Sequence, residues 1–73
     1  MSTNKQKLRG AMLLHGDTMN DLAEALGIAY QTLSMKMNAN GSEFTQGEIA
    51  VIRERYKLSD EQVIQIFFEE LVS

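Results

Sequence analysis

Apolar residues recur at helical rather than alternating spacing along nearly the whole chain. Leu8, Ala11, Met12 and His15 fall one turn apart behind Asn4, a capping residue, and predict a first helix over about 5–15. Gly16-Asp17 breaks it. Thr18-Met19-Asn20-Asp21 then has the form of a capping box, in which a hydroxyl and a carboxylate satisfy each other's backbone N–H groups. Leu22, Ala23 and Leu26 follow on one face, and Gly27 suits the left-handed conformation just past a helix end. A third helix is predicted from Tyr30 to Met37, with Leu33 and Met37 inward. Asn38 to Gly41 is rich in turn formers. A hairpin at Asn40-Gly41 is excluded because its flanks do not alternate in polarity. Thr45 to Glu48 forms a second capping box, ahead of Ile49, Ile52 and Tyr56. Ser59 to Gln62 forms a third, ahead of Val63, Ile64, Phe67, Phe68 and Leu71, and opens a last helix over about 60–71.

The pattern is that of a single all-α domain spanning 1–73. Its 73 residues are too few for two cores, and such a chain buries only roughly 60% of its unfolded surface. The absence of proline favours helix, and the absence of cysteine removes disulfides and thiolate metal sites. His15, the single histidine, has no partner at metal or triad spacing, and Glu69 and Glu70 diverge on a helix. No catalytic residue, metal, cofactor or small-molecule substrate is expected, and no apolar run approaches the ~20 residues of a membrane span. With no signal-peptide core, the expected compartment is the cytoplasm.

Residues 18–37 meet the geometric demands of a helix-turn-helix, in which two helices cross over a short turn and the second enters the major groove of DNA. Ala23 is the small residue where the helices touch. Gly27 stands four positions later, where the backbone leaves the helix, and Leu33 packs back on the first helix six positions further on. The run Leu22-Ala-Glu-Ala-Leu-Gly-Ile-Ala-Tyr-Gln-Thr-Leu-Ser34 meets all of these demands together. It resembles the Cro and phage-repressor class of helix-turn-helix proteins. Glu43-Phe-Thr-Gln-Gly-Glu-Ile49, Tyr56 to Ser59 and Ile66-Phe-Phe68 extend the similarity to small Cro-like regulators of phages and prophages of Gram-positive bacteria, over roughly residues 5–70. The resemblance implies a compact five-helix, lambda-repressor-like domain whose helices 2 and 3 read DNA. It also implies transcriptional regulation as a homodimer on a pseudo-palindromic operator. Two positions depart from the family pattern. Met19 and Met35 stand where polar donors are usual, so Met35 can read only an apolar feature such as a thymine methyl.

With Leu33 inward, Gln31, Met35 and Asn38 point away, and Thr32 and Ser34 lie on the flanks. Tyr30, Gln31, Thr32, Ser34 and Met35 are the base-reading candidates. Gln31 is foremost, because a glutamine amide pairs both edge groups of adenine. Thr18, Lys36, Asn38, Asn40 and Ser42 are the candidates for backbone phosphates, which fix register without reading sequence. Lys5, Lys7 and Arg9 add long-range attraction. The charged residues of helix 4 read as surface pairs of little consequence.

Net charge alters this picture. The formal charge is −3, whereas DNA-binding domains are usually basic. The excess acid is concentrated after residue 58, in Asp60, Glu61, Glu69 and Glu70, and residues 1–58 balance seven bases against six acids. A protein-interaction module on the same fold, with Leu13, Leu14, Met19 and Met35 offering apolar contacts, is therefore the alternative reading. Helix 5 also carries more apolar surface than one stripe. Counted from Val63, the residues Ile64, Phe67, Phe68 and Leu71 span about 40–140°, while Ile66 lies near 300°. A homodimer through Ile66, Phe67, Phe68 and Leu71 is expected to cover this surface and set two recognition helices roughly 34 Å apart.

Overall fold

The computed structural model describes residues 3–38 and 44–68. Among the described residues there are five helices and no strand: α1 (Lys5–Leu14), α2 (Met19–Leu26), α3 (Tyr30–Met37), α4 (Gln46–Tyr56) and α5 (Asp60–Phe67). Four of them begin on a side-chain cap. The Asn4 carboxamide oxygen accepts the Lys7 N–H at 3.1 Å. The Thr18, Thr45 and Ser59 hydroxyls each accept the N–H three residues on at 3.1 Å, and Asp21, Glu48 and Gln62 each return the bond to the cap's own N–H at 2.8–2.9 Å. Each box satisfies two of the donors that a helix start leaves open, so the boundaries predicted from the box residues hold to the residue. α1 ends one position early: Gly16 turns left-handed at φ 70°, and the Asp17 N–H reaches back to the Met12 carbonyl at 2.8 Å.

The core joins all five helices. Leu8, Leu22, Leu33, Met37 and Ile52 are fully buried, with Met12, Ala23, Phe44, Tyr56, Leu58, Val63, Ile66 and Phe67 around them. α2 packs on α3 and α4, and α1 packs on α5.

α5 corrects two expectations. Its inward residues are Val63, Ile66 and Phe67, while Ile64 is 38% exposed, so the buried stripe is rotated away from the one counted on the sequence. α1 sets this rotation: the Asn4 N–H donates to the Ile66 carbonyl at 2.6 Å, and Phe44 meets Phe67 edge-on with ring centres 5.5 Å apart. Ile66 and Phe67 therefore belong to the core of one chain and offer no face to a second copy. Phe68 is half-buried against the same core, and Leu71 lies outside the described residues. The helix also ends at Phe67 rather than near 71, since Phe68 leaves helical geometry at φ −131°, ψ 22°.

An ion pair ties the α1–α2 turn to α4. Arg55 donates from Nε and Nη2 to the two carboxylate oxygens of Asp17, at 2.5 and 2.9 Å, and the Tyr56 hydroxyl donates to Asp17 at 2.7 Å. This two-pronged pair is not the passing surface contact that the charge pattern of helix 4 implied. The Arg55 hydrogen bonds hold the Asp17 carboxyl below its ordinary value of 3.8, and burial raises the Tyr56 phenol well above its usual range.

Two outcomes follow from this packing. Leu33→Ala, which empties a fully buried site, is expected to cost about 2–5 kcal/mol, and Ala23→Leu about 1–3 kcal/mol by overpacking, both read in denaturant unfolding. The second outcome concerns acid. Because the folded Asp17 pKa lies below its unfolded value, its contribution is complete above about pH 5 and is lost as pH falls through the folded pKa. Asp17→Asn should lower stability at neutral pH and flatten the decline between about pH 5 and pH 2.

Candidate nucleic-acid interface

The α2–turn–α3 unit has the geometry its sequence demands. Gly27 takes φ 70°, ψ 30°, and the Ile28 N–H reaches back to the Ala23 carbonyl at 3.0 Å. The chain thus leaves α2 and turns into α3 within three residues. Ala23 is 4% and Leu33 0% exposed where the two helices meet. The opposite side of α3 faces solvent. Gln31 is exposed, Tyr30 is 50% and Met35 51% exposed, and Thr32 and Ser34 are half-buried on the flanks. All five base-reading candidates therefore lie along the outward face of α3 or at its edges. Ala29, which precedes α3, supplies no side-chain cap, and the first turn holds no acid, so the helix dipole is not countered at this end.

The phosphate candidates divide. Asn38 closes α3, donating from Nδ2 to the Ser34 carbonyl at 2.9 Å and accepting from Lys5 Nζ at 2.8 Å. This contact gathers Lys5 and Arg9 of α1, Met19 of α2, and Tyr30, Ser34 and Asn38 of α3 around a cleft of about 90 Å³. Two basic residues read only as distant attraction thus stand beside α3. Their i, i+4 spacing on α1 was the available signal, but which face of α1 meets α3 is a tertiary matter. Met19, half-buried, packs against the core, which accounts for an apolar residue at that position.

Lys36 is committed elsewhere. Its ammonium lies 3.1 Å from the Glu48 carboxylate and 5.9 Å from the centre of the Phe44 ring, and its side chain is only 12% exposed. Burial raises the Glu48 pKa, but the Thr45 N–H and Lys36 outweigh it and leave the carboxyl below its ordinary value. Glu48 thus caps α4, as its capping-box position predicts, and also bridges to α3, which a surface pair of little consequence would not do. Arg53 likewise leaves α4, pairing with Asp60 at the start of α5. The Thr18 hydroxyl is used by the cap of α2, and the Asp21 carboxylate stands at the same helix opening, where it would meet an approaching phosphate with like charge. Asn40 and Ser42 lie outside the described residues.

Among the described residues no group of three His, Cys, Asp or Glu side chains could hold a metal ion, and no helix is long and apolar enough to cross a membrane. His15 leans against Tyr56 with ring centres 5.4 Å apart. No family model matches the chain, and no curated protein or solved structure is significantly similar to it.

Proposed function

We propose that this protein binds duplex DNA in a sequence-specific way, as a Cro-like or repressor-like regulator that lays α3 in the major groove. The observation that carries the reading is the pairing of a tightly packed α2–α3 crossing with an outward row of Tyr30, Gln31 and Met35. Gln31 reads an adenine edge, and Met35 and the Tyr30 ring meet thymine methyls. Lys5 and Arg9, across the cleft from Ser34 and Asn38, grip the adjacent phosphates and take over the role that Lys36 cannot fill while bound to Glu48.

One observation favours a second reading. Lys36 is neutralised within the fold, and the neighbouring Met35 exposes half its surface, as an adaptable protein-binding surface would. In that case the chain shows no salt-dependent affinity for DNA, whereas a phosphate-gripping protein loses affinity steeply as salt rises.

Selection of bound sequences from random duplexes, followed by anisotropy titrations, tests the proposal. Gln31→Ala is expected to weaken the selected site by about 1–3 kcal/mol and relax preference at one base position. Arg9→Ala should weaken all duplexes alike. An unchanged sequence profile for Gln31→Ala would remove the assignment of the reading face. Glu48→Gln keeps an oxygen to cap the Thr45 N–H but releases Lys36. It should tighten binding to every duplex and steepen the salt dependence by about one phosphate contact.

A further inference from the structure

Lys36, Arg53 and Arg55 each meet a carboxylate, which cancels their charge within the fold. Lys5 is held differently. Its ammonium donates to a neutral group, the Asn38 carboxamide oxygen, at 2.8 Å and across 33 positions of sequence. The other half of that amide is fixed as well. Asn38 Nδ2 donates to the Ser34 carbonyl at 2.9 Å and to the Ser34 hydroxyl at 3.3 Å. Turning the amide over would set its oxygen against the carbonyl and its NH₂ against the ammonium, both repulsive. The Asn38 backbone N–H donates to the same Ser34 carbonyl at 3.0 Å, so main chain and side chain are both held. α3 ends here, and the negative end of its dipole draws the ammonium in the same direction. Among the described residues no acid lines the cleft that Lys5 shares with Arg9, Tyr30 and Ser34.

We propose that Asn38 is a positioning residue for DNA binding rather than a phosphate ligand: it holds the Lys5 ammonium beside α3 with its charge intact, so that Lys5 and Arg9 together seat one phosphate of the duplex. This rests on the DNA reading above and assigns the seat of that phosphate. The amide occupies one of the three ammonium donors and leaves two, with the full positive charge, for phosphate oxygens. A carboxylate at the same place would hold Lys5 equally well and remove its charge, as Glu48 does for Lys36. Holding a long side chain before DNA arrives also removes rotamer freedom that binding would otherwise have to freeze. At about 90 Å³ the cleft is too small for a drug-sized ligand, whereas a single phosphate group needs only its mouth.

A double-mutant cycle on the full chain tests the assignment, by anisotropy titration of the selected duplex and an unrelated duplex over a range of salt. Lys5→Ala is expected to weaken both duplexes alike and to lower the salt slope by about one phosphate contact. Asn38→Ala should weaken both by about two- to tenfold and leave the bound-sequence profile unchanged. In the Lys5→Ala background, Asn38→Ala should cost nothing further. Direct phosphate contact by Asn38, or fraying of α3, would cost as much without Lys5 as with it, so additive losses overturn the positioning role. Side-chain ¹³C relaxation at Lys5 Cε in the free protein gives a second readout. Lys5 should be more mobile in Asn38→Ala than in the parent chain, and equal mobility likewise overturns the proposal. If the parent chain shows no salt-dependent affinity for any duplex, the DNA reading falls and this proposal with it. Additive losses in a chain that does bind DNA remove the positioning role alone.

Discussion

The close crossing of α2 and α3 at Ala23 and Leu33 is the contact on which the rest of the fold is arranged. It requires a side chain no larger than a methyl on α2, a full aliphatic on α3, and a backbone that leaves α2 in the left-handed region at Gly27. Once these three are met, the direction of α3 is settled. Leu33 and Met37 point into the core, and Tyr30, Gln31 and Met35 have nowhere to point but outward. α4 completes the arrangement from below, with Ile52 fully buried in the same cluster, while Arg55 and Tyr56 hold the turn ahead of α2 through Asp17. The outward surface is presented by a scaffold whose own bonds are complete: among the described residues no buried side-chain polar atom lacks a partner.

Charge is distributed by the same packing. In a chain with ten acids and seven bases, several charges pair between elements rather than within one helix. Arg55 meets Asp17, Arg53 meets Asp60, and Lys36 meets Glu48. The basic residues gathered next to α3 are Lys5 and Arg9, brought there by the way α1 lies across the α2–α3 unit. Local charge at a site of a few ångströms thus differs from the sum over the chain, and the local value governs contact with phosphate.

Helix starts, and the end of α2, were legible in the sequence because they depend on local chemistry. Each capping box acts within four residues, and Gly27 ends α2 through its own backbone freedom, so neither needs the rest of the fold. The same holds for the outward row on α3, which follows from a helical repeat once Leu33 is recognised as inward. What required the tertiary structure was the decisions between helices outside the α2–α3 crossing. The rotation of α5 depended on the Asn4 to Ile66 hydrogen bond and on Phe44 reaching Phe67, contacts spanning 62 and 23 positions in sequence. An apolar helix with residues on several sides does not state which side faces in, and that is why Ile66 looked exposed and Ile64 buried when the reverse holds. Salt-bridge partners were equally hidden, because a long basic side chain such as Lys36 or Arg55 chooses among acids by distance in space. The sequence by itself determined where each helix starts and which residues of α3 face away from the core. The tertiary structure alone decided which side of α5 is buried, which bases are already paired and which stand beside the outward face of α3, since those depend on separations that no local pattern encodes.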